Sequence, residues 1–442
     1  MRILFTTFAA RSHMYAQVPL AWALRSAGHD VRIAGQPDLA DDITRTGLTA
    51  VPLGQPLDQA ADAATIDDRA LEPETAADPH AVDMTTWTEI LDIAETSPDR
   101  LTPDYTQGVF AAYAPLIFRY FSWEMTDDLV DYARWWQPDL IIWDTLTYAG
   151  PIAALASGAA HARLLFGLDL VGGMRRHHLA GLRNRPEVLR DDPMSEWLGW
   201  ALADHGLSFT EEVVTGQWTI DPVPDSLALP TDGLRVPVRY VPYNGPSVLP
   251  EWLLEPPKRP RVCVTFGVSN QEVFGRDRSS VGDIIRTVAT LDIEVVAALH
   301  PAQVAKLGGD VPDNVRVVNF VPLDALLPTC AAVISHGGAG TSQTALAHGV
   351  PQIFLPCMIW DSERKAQRME EYGAALRVAD VDDVSAAELR ALLVRILEDP
   401  SFAERAARLR DEVIATPAPG DIVPVLERLT ALHRRPSPLA VR

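Results

Sequence analysis

The segment Phe320–Arg368, FVPLDALLPTCAAVISHGGAGTSQTALAHGVPQIFLPCMIWDSERKAQR, leaves this chain few folds to adopt. Its apolar run AAVIS reads as a buried strand that passes straight into His336-Gly337-Gly338-Ala339-Gly340, with a helix opening at Thr341. A strand, a glycine turn and a helix in that order make a βα unit of a parallel sheet. Glycines let backbone come close to a ligand, and the first N–H groups of a helix have no partners within it. The motif is therefore a phosphate-binding site, to which His336 adds a side-chain donor. A tight βα turn alone would explain the glycines equally well, and the spacing does not say what the phosphate is attached to.

Composition narrows the class. A chain of 442 residues is too long for one ordinary core and predicts two domains. A hydrophobic content of 47% fits a globular protein, and a net charge of −21 argues against nucleic acid or an anionic membrane as partner. A diphosphate can still bind, because backbone amides and a helix dipole act at short range while distant charges are screened. Cys263, Cys330 and Cys357 form no CxxC pair, which suits a reducing compartment and offers no zinc site. The opening MRILFTTFAARSH reads as a first strand and not a signal peptide. The apolar stretch from Leu140 to Ala160 is broken by Asp144, Gly150 and Pro151, so no membrane span is expected and the location predicted is cytoplasmic.

Strand-like and helix-like periods alternate through both halves. RILFTTF, a turn at Ala9–His13, the helix VPLAWALRSAG and the strand HDVRIAG form a βαβ unit. DLIIWD, PIAALASGAA and ARLLFGLD continue the alternation after a polar stretch from Leu53 to Asp104 that reads as long loops or an inserted helical region. RVCVTFGVS, VGDIIRTVATL, IEVVAAL and VRVVNFV repeat the plan. Between the halves, VPYNGPSVLPEWLLEPPKRP holds six prolines and reads as a linker. The fold class is α/β, with two Rossmann-like domains. Ligands of such sheets bind beyond the carboxyl ends of the strands, so His13, Asp144, Gly267 and His336 would face one another across a cleft.

Each candidate has a plainer alternative. His13 can act as a base near neutral pH or be a polar turn residue. Asp144 closes an apolar strand and can orient His13 as a carboxylate–histidine dyad, or cap the following helix. Asp361 can accept hydrogen bonds from sugar hydroxyls or serve as an N-cap. The acidic string Asp380-Val381-Asp382-Asp383 resembles a metal-binding DxD but precedes a helix that it could cap. No P-loop lysine, HExxH or GxGxxG occurs, and nothing requires a metal.

The two halves resemble a GT-B glycosyltransferase, with parallel sheets facing across a deep cleft. HGGAGT, followed by GVPQIFLP and Asp361, is similar to the nucleotide-sugar motif of the inverting family that includes plant and antibiotic enzymes. ARWWQPDLIIWDTLTYAGPIAA, EEVVTGQWTIDPVP and VRYVPYNGPSVLPEWL look most of all like the auxiliary-protein-dependent desosaminyl and forosaminyl transferases of actinobacteria, within the macrolide glycosyltransferases. The resemblance covers nearly the whole chain. It implies an acceptor-binding domain at 1–235, a linker at 236–260, a nucleotide-sugar domain at 261–420, and a helix and tail at 421–442 packing back on the first domain.

By the same resemblance His13 is the general base and Asp144 its acidic partner. His336, Gly337, Gly338, Gly340 and Thr341 are the diphosphate cradle. Phe320, Val321 and Pro322 pack on the nucleobase, Thr265 and Gly267 form the facing turn, and Asp361 and Ser362 meet the sugar. Thr344 stands where plant enzymes carry a ribose-binding glutamate, which implies dTDP over UDP. Asp361-Ser362 replaces an acid–glutamine pair, which suits a sugar with fewer hydroxyls. The implied reaction is inverting, metal-independent transfer of a deoxysugar or deoxyaminosugar from dTDP to a macrolide or polyketide hydroxyl, with no cofactor. The aromatics Trp87, Tyr105, Phe110, Tyr113, Phe118, Tyr120, Phe121 and Trp123 suit an apolar acceptor, though most such residues are ordinary core. The implied partners are a P450-like auxiliary activator, which the Leu53–Asp104 stretch would dock, and homo- or hetero-oligomers. The competing readings are a GT-B sugar-nucleotide epimerase and a non-catalytic sugar-nucleotide-binding subunit.

Overall fold

The computed structural model describes residues 1–57, 91–267, 280–305, 307, 311–357, 360–381 and 384–435. Trp87, Asp382, Asp383 and most of the Leu53–Asp104 stretch lie outside them. Among the described residues the strands form two all-parallel sheets, of seven and six strands. The first holds β1 (Arg2–Thr6), β2 (Asp30–Gly35), β3 (Thr49–Pro52), β4 (Leu140–Asp144), β5 (Ala160–Leu164), β6 (Trp218–Asp221) and β7 (Arg235–Pro237), in the order β3-β2-β1-β4-β5-β6-β7. The second holds β8 (Arg261–Thr265), β9 (Glu294–Ala298), β10 (Val315–Val318), β11 (Ala332–Ser335), β12 (Gln352–Phe354) and β13 (Ala375–Arg377), in the order β10-β9-β8-β11-β12-β13. Two facing α/β sheets are the GT-B architecture.

Both orders reverse at one place, between β1 and β4 in the first sheet and between β8 and β11 in the second. At such a switch point the flanking connections leave in opposite directions and open a crevice at the strand ends. The central strands are apolar because both their faces are covered: all five residues of β4 and of β8 are buried.

Helix α1 (Arg11–Ser26) follows β1 and begins earlier than the sequence predicts. The buried Met14, Gln17, Val18, Ala21 and Leu24 make one continuous helical face, and Pro19 sits inside the helix instead of opening it. His13 is thus in the first helical turn and not on a loop. Helices α2 (Pro103–Tyr113) and α3 (Arg119–Trp136), joined by a π-turn over Ala114–Phe118, follow from the end of the Leu53–Asp104 stretch. Phe110, Phe118 and Tyr113 are buried there in the core, while Trp123 is 46% exposed. After β13 come two helices, Ala386–Glu398 and Pro400–Ala415, and Ser385 caps the first of them in place of the acidic string. The last helix, Val423–His433, places Val423 and Leu426 in the same cluster as Ile3, Phe5 and Leu140 of the first sheet. No helix among the described residues is long and apolar enough to cross a membrane.

Candidate functional site

The switch point of the first sheet carries the dyad. β1 and β4 pair in register from Ile3↔Leu140 to Thr6↔Trp143, so the residues that follow β1 and the last residue of β4 share one sheet edge. There His13 Nδ1 lies 2.8 Å from Asp144 Oδ2. Asp144 Oδ1 accepts the Leu146 amide at 2.9 Å, and both oxygens are therefore used. The next helix begins only at Ala149 with no side-chain cap, so capping is not the role of Asp144. With its proton on the nitrogen facing the carboxylate, the His13 ring presents Nε2 as an acceptor. Phe8 and Phe166 flank the ring at 4.5 and 4.2 Å between centroids, and Phe121 stacks on Phe8 at 4.0 Å. The base candidate thus stands in an aromatic wall.

The switch point of the second sheet carries the glycine loop. β11 pairs with β8 up to Ser335↔Thr265, which sets Phe266 beside His336, with Gly267 one residue further on. The helix after the loop, α4 in a sequence where α2 and α3 precede it, spans Ala339–His348 and starts two residues before the predicted Thr341. Its N-cap is Gly338, which offers no side chain to the first-turn amides. A Cβ on Gly338 would meet nothing within 4 Å, so space is open over the loop. Gly337 has φ +80, where its missing Cβ would lie 3.0 Å from the Phe354 ring. His336 is buried, its ring rests on Phe266 at 4.8 Å, and Nδ1 donates to the Leu355 carbonyl at 3.1 Å. Donation from Nε2 to a phosphate oxygen then requires the imidazolium form. Phe320, beyond β10, is 57% exposed, while Val321 is buried and Pro322 is the N-cap of a short helix.

Thr344 is fully buried and its hydroxyl turns back to the Gly340 carbonyl at 2.6 Å. The Ser362 hydroxyl points into the protein, donating to the His336 carbonyl and accepting the Cys357 amide at 3.2 Å. Asp361 makes no side-chain cap to its helix, α5 (Ser362–Tyr372). Its Oδ2 instead accepts the Leu168 amide of the first half at 2.9 Å, and its Oδ1 pairs with Lys365 Nζ at 2.9 Å. Lys365 also donates to the Gly337 carbonyl at 2.8 Å.

Several residues that sequence reading passed over join the two halves. Phe166 touches His13 on one side and approaches Trp360 at 5.8 Å on the other. Trp360 has φ +50, a backbone conformation that costs a bulky residue strain. Arg368 donates to the carbonyls of Ser226, Leu227 and Ala228 across the same boundary. A chain of direct contacts therefore runs from His13 through Phe166 and Trp360 to Asp361, Lys365 and the glycine loop. The rarity of lysine in this sequence, three residues among 38 cations, was the one signal that could have singled out Lys365.

Two parallel sheets, with a histidine–carboxylate pair on one switch point and a glycine loop opening a helix on the other, have the architecture of a GT-B glycosyltransferase. Comparison with known families gives the narrower assignment. The model described as "Erythromycin biosynthesis protein CIII-like, N-terminal domain" matches residues 22–267, and the corresponding C-terminal domain matches residues 283–429. The chain belongs to this glycosyltransferase family. It is 55% identical to the aclacinomycin-T 2-deoxy-L-fucose transferase of Streptomyces galilaeus, over 98% of this chain and 97% of that one. It is 47% identical to the 10-deoxymethynolide desosaminyltransferase of Streptomyces venezuelae, over 99% of each. Among solved structures it is similar to glycosyltransferase VinC in complex with dTDP, with a TM-score of 0.84, 43% identity, and coverage of 98% of this chain and 100% of that one.

Proposed function

We propose that this enzyme transfers a deoxysugar or deoxyaminosugar from a dTDP-sugar to a hydroxyl of a macrolide or other polyketide aglycone, with inversion at the anomeric carbon. The observation that carries the reading is the 2.8 Å His13–Asp144 contact on the sheet edge that faces the glycine loop. His13 Nε2 takes the acceptor hydroxyl proton as the oxygen attacks the anomeric carbon. The carbon–oxygen bond to the diphosphate breaks as the new one forms, and Asp144 faces the positive charge that builds on the ring. The leaving dTDP gains negative charge, which the first-turn amides of Ala339, Gly340 and Thr341 and the cationic form of His336 are arranged to meet. That arrangement gives a metal no necessary step, and chelation with EDTA should leave turnover unchanged.

A thymidine donor fits Thr344, whose buried hydroxyl is already bonded to Gly340 and which brings no carboxylate to a ribose 2′-hydroxyl. The names of the relatives, which carry deoxysugars, point the same way. Within this reading Phe320, Val321 and Pro322 border the base, Thr265 and Gly267 face it, and Asp361 and Ser362 line the sugar end. The first 235 residues bind the acceptor and residues 261–420 the donor. We place the enzyme in the cytoplasm, where dTDP-sugars are made, and pair it with an auxiliary protein of the P450-like kind through the Leu53–Asp104 stretch, most of which lies outside the described residues, in homo- or hetero-oligomers. The deciding experiment presents dTDP- and UDP-linked sugars in parallel to the enzyme and a macrolactone panel, with and without the auxiliary protein. Preference for dTDP supports the reading; preference for UDP overturns it. Full activity of the isolated chain would remove the auxiliary partner from it.

A further inference from the structure

Asp361 poses a chemical problem for an enzyme that uses deoxysugars. A buried carboxylate needs hydrogen-bond donors around it, and leaving one unmet is costly. When the sugar is rich in hydroxyls, the sugar can supply those donors. A ring stripped of hydroxyls cannot.

The structure answers with donors of its own. Asp361 is 3% exposed, and both of its oxygens are engaged by the protein: Oδ1 by Lys365 Nζ at 2.9 Å and Oδ2 by the Leu168 amide at 2.9 Å. Lys365 is itself 7% exposed and one turn further along the same helix. Its ammonium is shared with the Gly337 carbonyl at 2.8 Å, which ties the carboxylate to the loop assigned to the diphosphate. Gly167 permits this approach: a Cβ there would lie 2.3 Å from Asp361 Oδ2. Lys365, Gly167 and Leu168 also line one small cavity between the halves, together with Gln343 and Arg368. A chain that uses arginine almost everywhere places one of its three lysines here, as a compact point charge shared between the Asp361 carboxylate and the Gly337 carbonyl.

We propose that Lys365 is a specificity-determining positioning residue: it satisfies Asp361 internally, so that a dTDP-sugar lacking ring hydroxyls binds without stranding a buried carboxylate. This inference rests on the reading of the cleft as a dTDP-sugar site. Lys365 acts through Asp361 and need not touch the sugar.

The test is calorimetric titration of the full chain with dTDP, dTDP-glucose and a dTDP-2,6-dideoxyhexose, which needs no acceptor. In Lys365→Met the dideoxy donor should lose about tenfold or more in affinity relative to dTDP-glucose, whose hydroxyls can take over the carboxylate. Adding Asp361→Asn should return the ratio of the two donors to within about threefold of that of Asp361→Asn alone, since no charge is left to satisfy. An unchanged donor ratio in Lys365→Met overturns the inference, as does a double variant as skewed as the single one, because loss of the Gly337 contact would then be the cause. If Lys365→Met does not fold, the comparison of Asp361→Asn with the double variant decides: equal donor ratios support the inference and unequal ones overturn it. A wild-type chain with no affinity for dTDP refutes the donor reading itself, and with it this inference.

Discussion

Replacing Asp144 by asparagine isolates the charge of the dyad from its shape. The amide oxygen can still accept the Leu146 amide that now lies 2.9 Å from Oδ1, so the turn after β4 is kept. The amide nitrogen then faces His13 Nδ1 in place of an oxygen 2.8 Å away. Two consequences follow. The ring must accept at Nδ1, which puts its proton on Nε2 and removes the lone pair that would take the acceptor proton. The variant also loses the attraction between the carboxylate and the charge forming on the ring. The pair is largely shielded, with side-chain exposures of 15% for His13 and 3% for Asp144. For charge centres about 4 Å apart at an effective dielectric constant near 20, that attraction is about 4 kcal/mol. At about 1.4 kcal/mol per factor of ten, the rate of the chemical step should fall on the order of a thousandfold. Single-turnover rates with saturating donor and acceptor measure it, and calorimetric dTDP affinity should stay within about twofold of wild type. A variant that turns over within threefold of wild type would refute the dyad.

Three further changes probe separate parts of the site and the core. Gly337→Ala forces a side chain onto φ +80 and to 3.0 Å from the Phe354 ring, so it should cost about 1–2 kcal/mol of stability and weaken dTDP binding, read by thermal melting and titration. Phe320→Ala removes an aromatic ring that is 57% exposed; dTDP affinity should drop about two- to tenfold with the melting temperature unchanged, and an unchanged affinity would remove Phe320 from the base platform. Burial pushes His161 on β5 down to about 3 from its ordinary 6.5, helped by the positive charges of His433 and Arg435. Its folded value lies below its unfolded one, so the stability contributed by the neutral ring is complete above pH 6.5 and is lost as pH falls toward 3. The melting temperature should therefore fall less steeply between those limits in His161→Gln than in wild type; parallel slopes would contradict this.

The sequence was most readable where physics leaves one choice. Buried parallel strands have no polar face, so RILFT, LIIWD and RVCVT stand out as apolar runs, and the glycine loop marks its own turn. Short edge strands were not legible: TAVP, RVP and ALR have four or three residues and no distinctive period. The early start of α1 was hidden by Pro19, which reads as a first-turn residue yet is tolerated in the helix interior. Of the site, His13, Asp144, Gly267 and His336 could be proposed because each closes or follows a strand, and Asp361 because it opens the next helix. Their partners could not, because Leu168 acts through a backbone amide and Phe166 through a ring that resembles any core aromatic. Contacts between residues nearly two hundred positions apart, such as Leu168 with Asp361, carry no local signature.

The central claim, that His13 activates an acceptor hydroxyl against a dTDP-deoxysugar, is tested most directly by one paired measurement on His13→Ala. Product formation from a dTDP-deoxysugar and a polyketide aglycone is followed by mass spectrometry while dTDP affinity is measured on the same preparation. Loss of transfer by a factor on the order of a thousand or more, with dTDP affinity close to wild type, is the predicted result. Transfer that persists at the wild-type rate would contradict the account.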